Sequence, residues 1–252
     1  MQGYKFGVHS CAKILFQSFC MGALRNFLAW FSVPVICMFA LPLYLVRPFN
    51  PDNNRLLAIA MARTGRVILG MKRPVEGAEH IPQDRPVVAI ANHQYNDDLF
   101  VMGDLVPPRT VTVGKSSLIW LPFFGQVFWL GGNVMLNRAH SRKAIAAMQA
   151  TSDAITHDNK SLWVFVEGTR SRGRGLQKFK KGAFYAAVTA GAPIVMVCNA
   201  EYGKKTLGWS GRRQSVTIQI LPPIETTGLT IEDVPALIAR CHQEMAEVIA
   251  DL

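Results

Sequence analysis

Val87-Val88-Ala89-Ile90-Ala91-Asn92-His93-Gln94-Tyr95-Asn96-Asp97-Asp98 is the stretch that decides the fold. An apolar, β-branched run between Pro86 and a polar cluster predicts a short buried strand. Asn92 and His93 then stand at its carboxyl end, the edge where ligands bind in open α/β sheets. The Asn/Asp cluster behind them suits the cap of a helix starting near Asp97.

A histidine acting as a base needs an acceptor on Nδ1–H, so that Nε2 carries the lone pair, and a carboxylate there also stabilises the imidazolium. Asp97 lies four positions after His93 and Asp98 five. On a continuous helix only the i,i+4 pair shares a face. If His93 sits in the turn before the helix, Asp98 in the first turn reaches back and Asp97 becomes a cap. Spacing leaves both arrangements open.

Working outward, strand-like runs recur at Thr110–Gly114, Asn133–Leu136, Leu162–Val166, Ile194–Asn199 and Val216–Leu221. Helical patterns fall between them at Leu99–Leu105, Arg142–Thr156, Gly182–Ala190 and Ile231–Asp251. This alternation predicts an α/β fold with a mixed, mostly buried sheet flanked by helices. Leu118–Leu130 is apolar and aromatic, suited to lining an apolar tunnel, to a bilayer-facing surface or to an ordinary buried helix.

Ahead of the sheet, Phe27–Val46 contains no charged residue. Twenty helical residues reach about 30 Å, the thickness of a hydrocarbon core. Residues 1–50 are therefore expected to be an N-terminal helical membrane-anchoring segment, and residues 51–252 the catalytic domain. Lys5 and Lys13 flank the segment on one side, Arg47, Arg55, Arg63 and Arg66 on the other. Charge at both ends fits two helices folded as a hairpin in one leaflet better than a single span, which stays open as the alternative. A cleaved signal peptide is not expected. Arg55–Met71, apolar on one face, is expected to lie along the membrane beneath the catalytic domain.

The chain has 252 residues, 50% of them hydrophobic, and a formal net charge of +10. Its partners are expected to be anionic: a phospholipid surface or a phosphate-bearing substrate. The 5 cysteines are scattered, with no C-x-x-C pair, so reduced thiols and no metal site are expected.

Phe165-Val166 ends an apolar strand, and Glu167-Gly168-Thr169-Arg170-Ser171-Arg172 follows at once. Glycine lets the backbone turn tightly, and arginine presents planar donors suited to two phosphate oxygens. Gly208-Trp209-Ser210-Gly211-Arg212 falls short of a serine-nucleophile elbow, having arginine at its last position, so a covalent serine intermediate is not expected. No nucleic-acid-binding module is recognisable in the chain.

Three blocks occur in order: Asn92-His93 with Asp98, then Gly132-Asn133-Val134-Met135-Leu136-Asn137-Arg138, then Phe165-Val166-Glu167-Gly168-Thr169-Arg170-Ser171. They resemble the ordered blocks of the glycerolipid acyltransferases, a likeness running from about Val87 to Pro223. The resemblance implies that Asp98, not Asp97, partners a catalytic His93. It implies acyl transfer from acyl-CoA or acyl carrier protein to the sn-2 hydroxyl of lysophosphatidic acid, without cofactor, metal or nucleic acid. Arg170 would hold the substrate phosphate, joined by Arg138 and Lys115; Ser117 departs from the acidic residue that relatives often carry beside that lysine. Glu167, Gly168 and Thr169 would form the substrate-binding loop, with Glu167 orienting the arginines or accepting a bond from a glycerol hydroxyl. A family member of this kind would sit on the bacterial inner membrane, facing the cytoplasm. Glycerol 3-phosphate or another lysophospholipid as acceptor would share every motif.

Overall fold

The computed structural model of the chain describes residues 5–136, 151–153, 155–203 and 215–252. Seven strands form one sheet: β1 (Val75–Glu76), β2 (Val88–Ala91), β3 (Thr110–Lys115), β4 (Val134–Leu136), β5 (Ser161–Phe165), β6 (Ile194–Asn199) and β7 (Ile218–Ile220). Their order is β1-β7-β6-β2-β5-β3-β4, and every pairing is parallel except β6 with β7. β2 lies at the centre, and all of its residues and all of β6 are buried. Strands covered on both faces need continuous apolar runs, which is why these segments do not alternate. β1 is absent from the sequence expectation because two residues at a sheet edge carry no periodic signal.

One face of the sheet carries Ala89, Ala91, Trp163, Val195 and Val197, covered by α1 (Lys5–Val46), α2 (Pro51–Leu69) and α3 (Asp98–Met102). The other carries Val88, Ile90, Leu162, Ile194 and Met196, covered by α5 (Gly182–Ala190) and α6 (Val234–Asp251). A short α4 (Phe124–Leu130) follows β3. The expected helix over Arg142–Thr156 lies largely outside the described residues.

The hairpin expected at the N-terminus is not formed. α1 is a single helix that runs through Arg25-Asn26, Pro34 and Pro42. Arg25-Asn26 offers neither glycine nor proline to reverse the chain. The two prolines are tolerated because the helix is held by tertiary packing: Ala29, Val33, Cys37 and Tyr44 form a buried stripe against the catalytic domain. α2 is no free surface helix either. Asn50 caps it, its Oδ1 accepting from Asp52 N at 3.0 Å with Pro51 in the first turn. Leu57, Met61, Ala62 and Leu69 are buried, so α2 fills the space between α1 and α3.

Beyond α3, Asp104 is the counter-ion of two guanidinium groups. Arg66 meets its Oδ2 at 2.5 Å and Arg73 its Oδ1, while the same arginines donate to Phe100 O at 3.0 Å and Val101 O at 2.9 Å. Burial raises the Asp104 carboxyl, but the Arg66 hydrogen bond and the charges of both arginines outweigh it and hold the group below its ordinary value. A carboxyl depressed in the native state stabilises the fold above its unfolded pKa, and that contribution is lost as pH falls through the lower native value. Asp104→Asn leaves two largely buried cations without compensation. It is expected to cost ~3–5 kcal/mol and to lower the Tm in detergent by about 10 °C; scanning calorimetry checks it.

Candidate active site

β2 ends at Ala91, and Asn92 extends it toward β6. Its Nδ2 donates to Asn199 O at 2.9 Å, and its Oδ1 accepts from Asn199 N at 2.8 Å. The chain then leaves the sheet, turns over Tyr95–Asp98 and enters α3 with Asp98 as its first residue. His93 therefore lies in the turn before the helix, and Asp98 reaches back to it.

The Asp98 side chain is fully buried, and its carboxylate is surrounded by donors. Oδ2 faces His93 Nδ1 at 2.6 Å and accepts from Gln94 N at 2.7 Å and Tyr95 N at 3.2 Å. An acceptor so placed assigns the ring proton to Nδ1 and leaves Nε2 with the lone pair. Oδ1 accepts from the Tyr202 hydroxyl and, at 3.4 Å, from Asn199 Nδ2. The imidazole stacks on Phe165, with centroids 4.0 Å apart and planes 14° apart, and its side chain is 19% exposed. Asp97 turns the other way and accepts from Trp30 Nε1 of α1 at 2.9 Å. Burial pushes its carboxyl up, partly offset by that hydrogen bond. The spacing ambiguity is thus resolved for Asp98, and Asp97 makes no side-chain cap to α3.

The Glu167 carboxylate is engaged by backbone donors. Only 2% exposed, it accepts from His93 N at 2.7 Å through Oε1 and from Gln177 N at 3.0 Å through Oε2. Burial raises its carboxyl above the usual range despite those two donors. The same loop holds the other side of His93: Ser171 N donates to His93 O at 2.8 Å, and Arg172 N to Gln94 O at 3.2 Å. Both backbone groups of His93 are therefore fixed by residues 167–171, across neighbouring parallel strands. Gly168 makes this possible. Its φ is +67°, and an added Cβ would press to 3.1 Å from Lys180 Cγ.

Arg170 lies on the same rim, its guanidinium donating to Asn96 Oδ1 three residues after His93. Thr169 is exposed beside it. Lys115 is exposed at the carboxyl end of β3, which pairs with β5, so it belongs to the same sheet edge. Arg138 lies outside the described residues, as does Ser210. The structure thus brings His93, Asp98, Glu167, Gly168 and Arg170 into one cluster, with Lys115 further along the edge. Among the described residues, no group of three or more His, Cys, Asp and Glu is placed to hold a metal ion.

Sequence reasoning missed Tyr202, Asn199 and Gln94. Gln94 Nε2 donates to Ala200 O at 2.8 Å, and its Oε1 accepts from Tyr202 N at 2.9 Å. The available signal was a parallel one: polar residues follow the apolar run of β6 as they follow that of β2, at the same edge.

Residues 72–199 match the sequence model of a family described as Acyltransferase. The 1-acyl-sn-glycerol-3-phosphate acyltransferase of Haemophilus influenzae is 41% identical over 236 residues, covering 91% of this chain and 95% of that protein. The enzyme of the same name from Escherichia coli is 37% identical over 221 residues, covering 86% and 89%. The crystal structure of the 1-acyl-sn-glycerophosphate (LPA) acyltransferase of Thermotoga maritima superposes with a TM-score of 0.70, covering 92% of this chain and 97% of that one. At 22% identity that likeness speaks for the fold. With a half-buried His93 paired to a buried Asp98 at the sheet edge and relatives matched over nearly their whole length, the chain belongs to the acyltransferase family.

Proposed function

We propose that this chain transfers a fatty acyl group from an acyl thioester, acyl-CoA or acyl carrier protein, to the sn-2 hydroxyl of 1-acyl-sn-glycerol 3-phosphate, forming phosphatidic acid. The observation that carries the reading is the 2.6 Å contact of His93 Nδ1 with a fully buried Asp98, on the rim that also bears Arg170. The names of the relatives supply the acceptor.

In this reading Nε2 of His93 takes the hydroxyl proton as the oxygen attacks the thioester carbonyl. The tetrahedral intermediate then expels the thiolate, which takes the proton back from the imidazolium. Asp98 stays ionised throughout and balances the imidazolium charge. General-base catalysis of this kind contributes about 10²–10⁴-fold. Holding the hydroxyl against the thioester supplies up to roughly 7–11 kcal/mol more. Arg170, with Lys115 and Arg138, binds the phosphate and sets that distance. A cysteine nucleophile is disfavoured: Cys198, near the carboxyl end of β6, is fully buried and its thiol is pushed up to about 12.

The membrane reading rests on α1. Residues Cys20–Val46 are long and apolar enough to cross a bilayer. Its buried stripe from Ala29 to Tyr44 nevertheless rests on the catalytic domain for about 22 Å at the helical rise. A helix covered along one side cannot be ringed by lipid there. Phe27, Phe31, Phe39 and Leu45 face outward, and Trp120, Leu121 and Trp129 are also exposed. The apolar stretch over Leu118–Leu130 is therefore a half-exposed rim, which together with Leu41 and Leu45 of α1 encloses an open apolar groove of about 520 Å³. In our reading this surface sits in the cytoplasmic leaflet of an anionic inner membrane, where the lipid substrate resides.

Purified protein in detergent, given lysophosphatidic acid and a panel of acyl thioesters, is expected to form phosphatidic acid. Faster acylation of glycerol 3-phosphate or of a lysolipid without the phosphomonoester would refute the acceptor. Arg170→Ala is expected to raise KM for lysophosphatidic acid about tenfold or more, since a charge-assisted bond is lost, with kcat changed little. An unchanged KM for that substrate with a raised KM for the thioester would move Arg170 to the donor site.

A further inference from the structure

The dyad is held by more than its own two members. Three N–H groups, from His93, Gln94 and Tyr95, converge on Oδ2 of Asp98. On Oδ1 the Tyr202 hydroxyl makes the close contact, and Asn199 Nδ2 is distant at 3.4 Å. A carboxylate gripped at one oxygen can still rock about its Cβ–Cγ bond. A donor on the second oxygen fixes its plane and so fixes the direction in which Oδ2 meets the imidazole.

Tyr202 is built for this. It is 6% exposed, its ring lies 5.4 Å from that of Tyr95, and its own N–H is held by Gln94 Oε1 at 2.9 Å. The segment after β6 is thereby stitched to the segment after β2. Burial and the Asp98 carboxylate push the phenol far above its ordinary range, with smaller contributions from Asp97 and Tyr95. The hydroxyl is therefore a neutral donor throughout the working pH range. We propose that Tyr202 is a positioning residue for the acyl transfer, acting through Asp98: its hydroxyl fixes the carboxylate and tempers the charge that Asp98 presents to His93. This rests on the reading of His93 as base and Asp98 as its partner.

The second half of the proposal has a sign. A donor on Oδ1 draws negative charge away from Oδ2. Removing it leaves more charge facing the ring and favours the imidazolium, so the acid limb of kcat/KM should move to higher pH. A stronger donor should move it to lower pH. The other ionisable groups around the pair are His93 itself, Asp97, Tyr95 and Glu167. A change at position 202 adds or removes no charge at Asp97, Tyr95 or Glu167, so the movement of the His93 limb reports the donor.

The experiment compares the full chain in detergent with Tyr202→Phe and with 3-fluorotyrosine installed at position 202. The fluorinated phenol is a stronger donor of nearly the same shape. Tyr202→Phe is expected to lower kcat about tenfold, leave KM for lysophosphatidic acid within twofold, and raise the acid limb by about half a pH unit. The fluorotyrosine chain should retain most of kcat and shift the limb downward. Opposite shifts support the proposal. Limbs that stay in place overturn it, whether kcat is unchanged or falls in step with Tm, because a structural role alone would not move them. If Tyr202→Phe does not fold, the direction of the fluorotyrosine shift decides alone. An active His93→Ala would sink the reading beneath. An inactive His93→Ala beside unshifted Tyr202 variants would sink only the role of Tyr202.

Discussion

Replacing His93 by alanine is expected to lower kcat by about 10³-fold while leaving the affinity for lysophosphatidic acid within a factor of two. The two parts of that result have separate physical origins. In the proposed reading the imidazole is the base, and among the described residues neither nearby carboxylate is free to replace it. Glu167 is engaged by two backbone N–H groups, and Asp97 by Trp30. In the same reading the phosphate is held by Arg170 and its basic neighbours, which the substitution does not touch. The fold should survive as well. What holds this turn is the His93 backbone, bonded to Glu167 and to Ser171 N. Only the Phe165 stacking contact and one donor to Asp98 are lost. Initial rates with lysophosphatidic acid and an acyl thioester, paired with calorimetric binding of the acceptor alone, separate the two effects.

Asp98→Asn is expected to cost ~10²–10³-fold in kcat, and Asp97→Asn less than about threefold; a contact ion pair in a partly screened site is worth some 4 kcal/mol. The donor pattern around residue 98 gives the reason. Three N–H groups face the Oδ2 position, so the amide oxygen of an asparagine settles there and its NH2 turns toward Tyr202. The hydroxyl of Tyr202 can rotate to accept. The ring therefore keeps its proton on Nδ1, and the loss comes from the missing charge opposite the imidazolium. The Asp97 carboxylate accepts from the indole N–H of Trp30, which an amide oxygen still satisfies. Steady-state rates of the two variants, measured side by side, check the assignment; reversed severities would exchange the roles of the two aspartates.

The sheet was legible where its strands are buried on both faces. The runs Val87–Ala91, Leu162–Val166 and Ile194–Cys198 are apolar without interruption, the pattern of a parallel strand covered on both faces. β1 was not legible, since two residues at an edge form no pattern. α1 was misjudged because charge at both ends of an apolar segment fits a hairpin as well as a helix lying along a protein surface. What decides is the stripe Ala29, Val33, Cys37 and Tyr44, and its partners lie in elements far along the chain.

Spacing alone displayed a histidine with two candidate aspartates, and the choice of Asp98 came from the family resemblance. The choice depends on where α3 begins, which the Tyr95–Asp98 turn sets. The backbone partners of Glu167 were hidden for a related reason. Sequence displays the adjacent arginines, whereas the groups it serves are backbone N–H donors, one of them on His93, 74 positions away. Tyr202 shows no motif at all, because its partner Asp98 is 104 positions distant.

The central claim is geometric: the open nitrogen of His93 and the guanidinium of Arg170 address one glycerol phosphate. A crystal structure of the protein with lysophosphatidic acid and an unreactive thioether analogue of the donor tests it most directly. The account predicts the sn-2 oxygen within about 2.6–3.2 Å of His93 Nε2, with the phosphate on Arg170. An sn-2 oxygen directed away from His93, with the phosphate seated elsewhere, would contradict it.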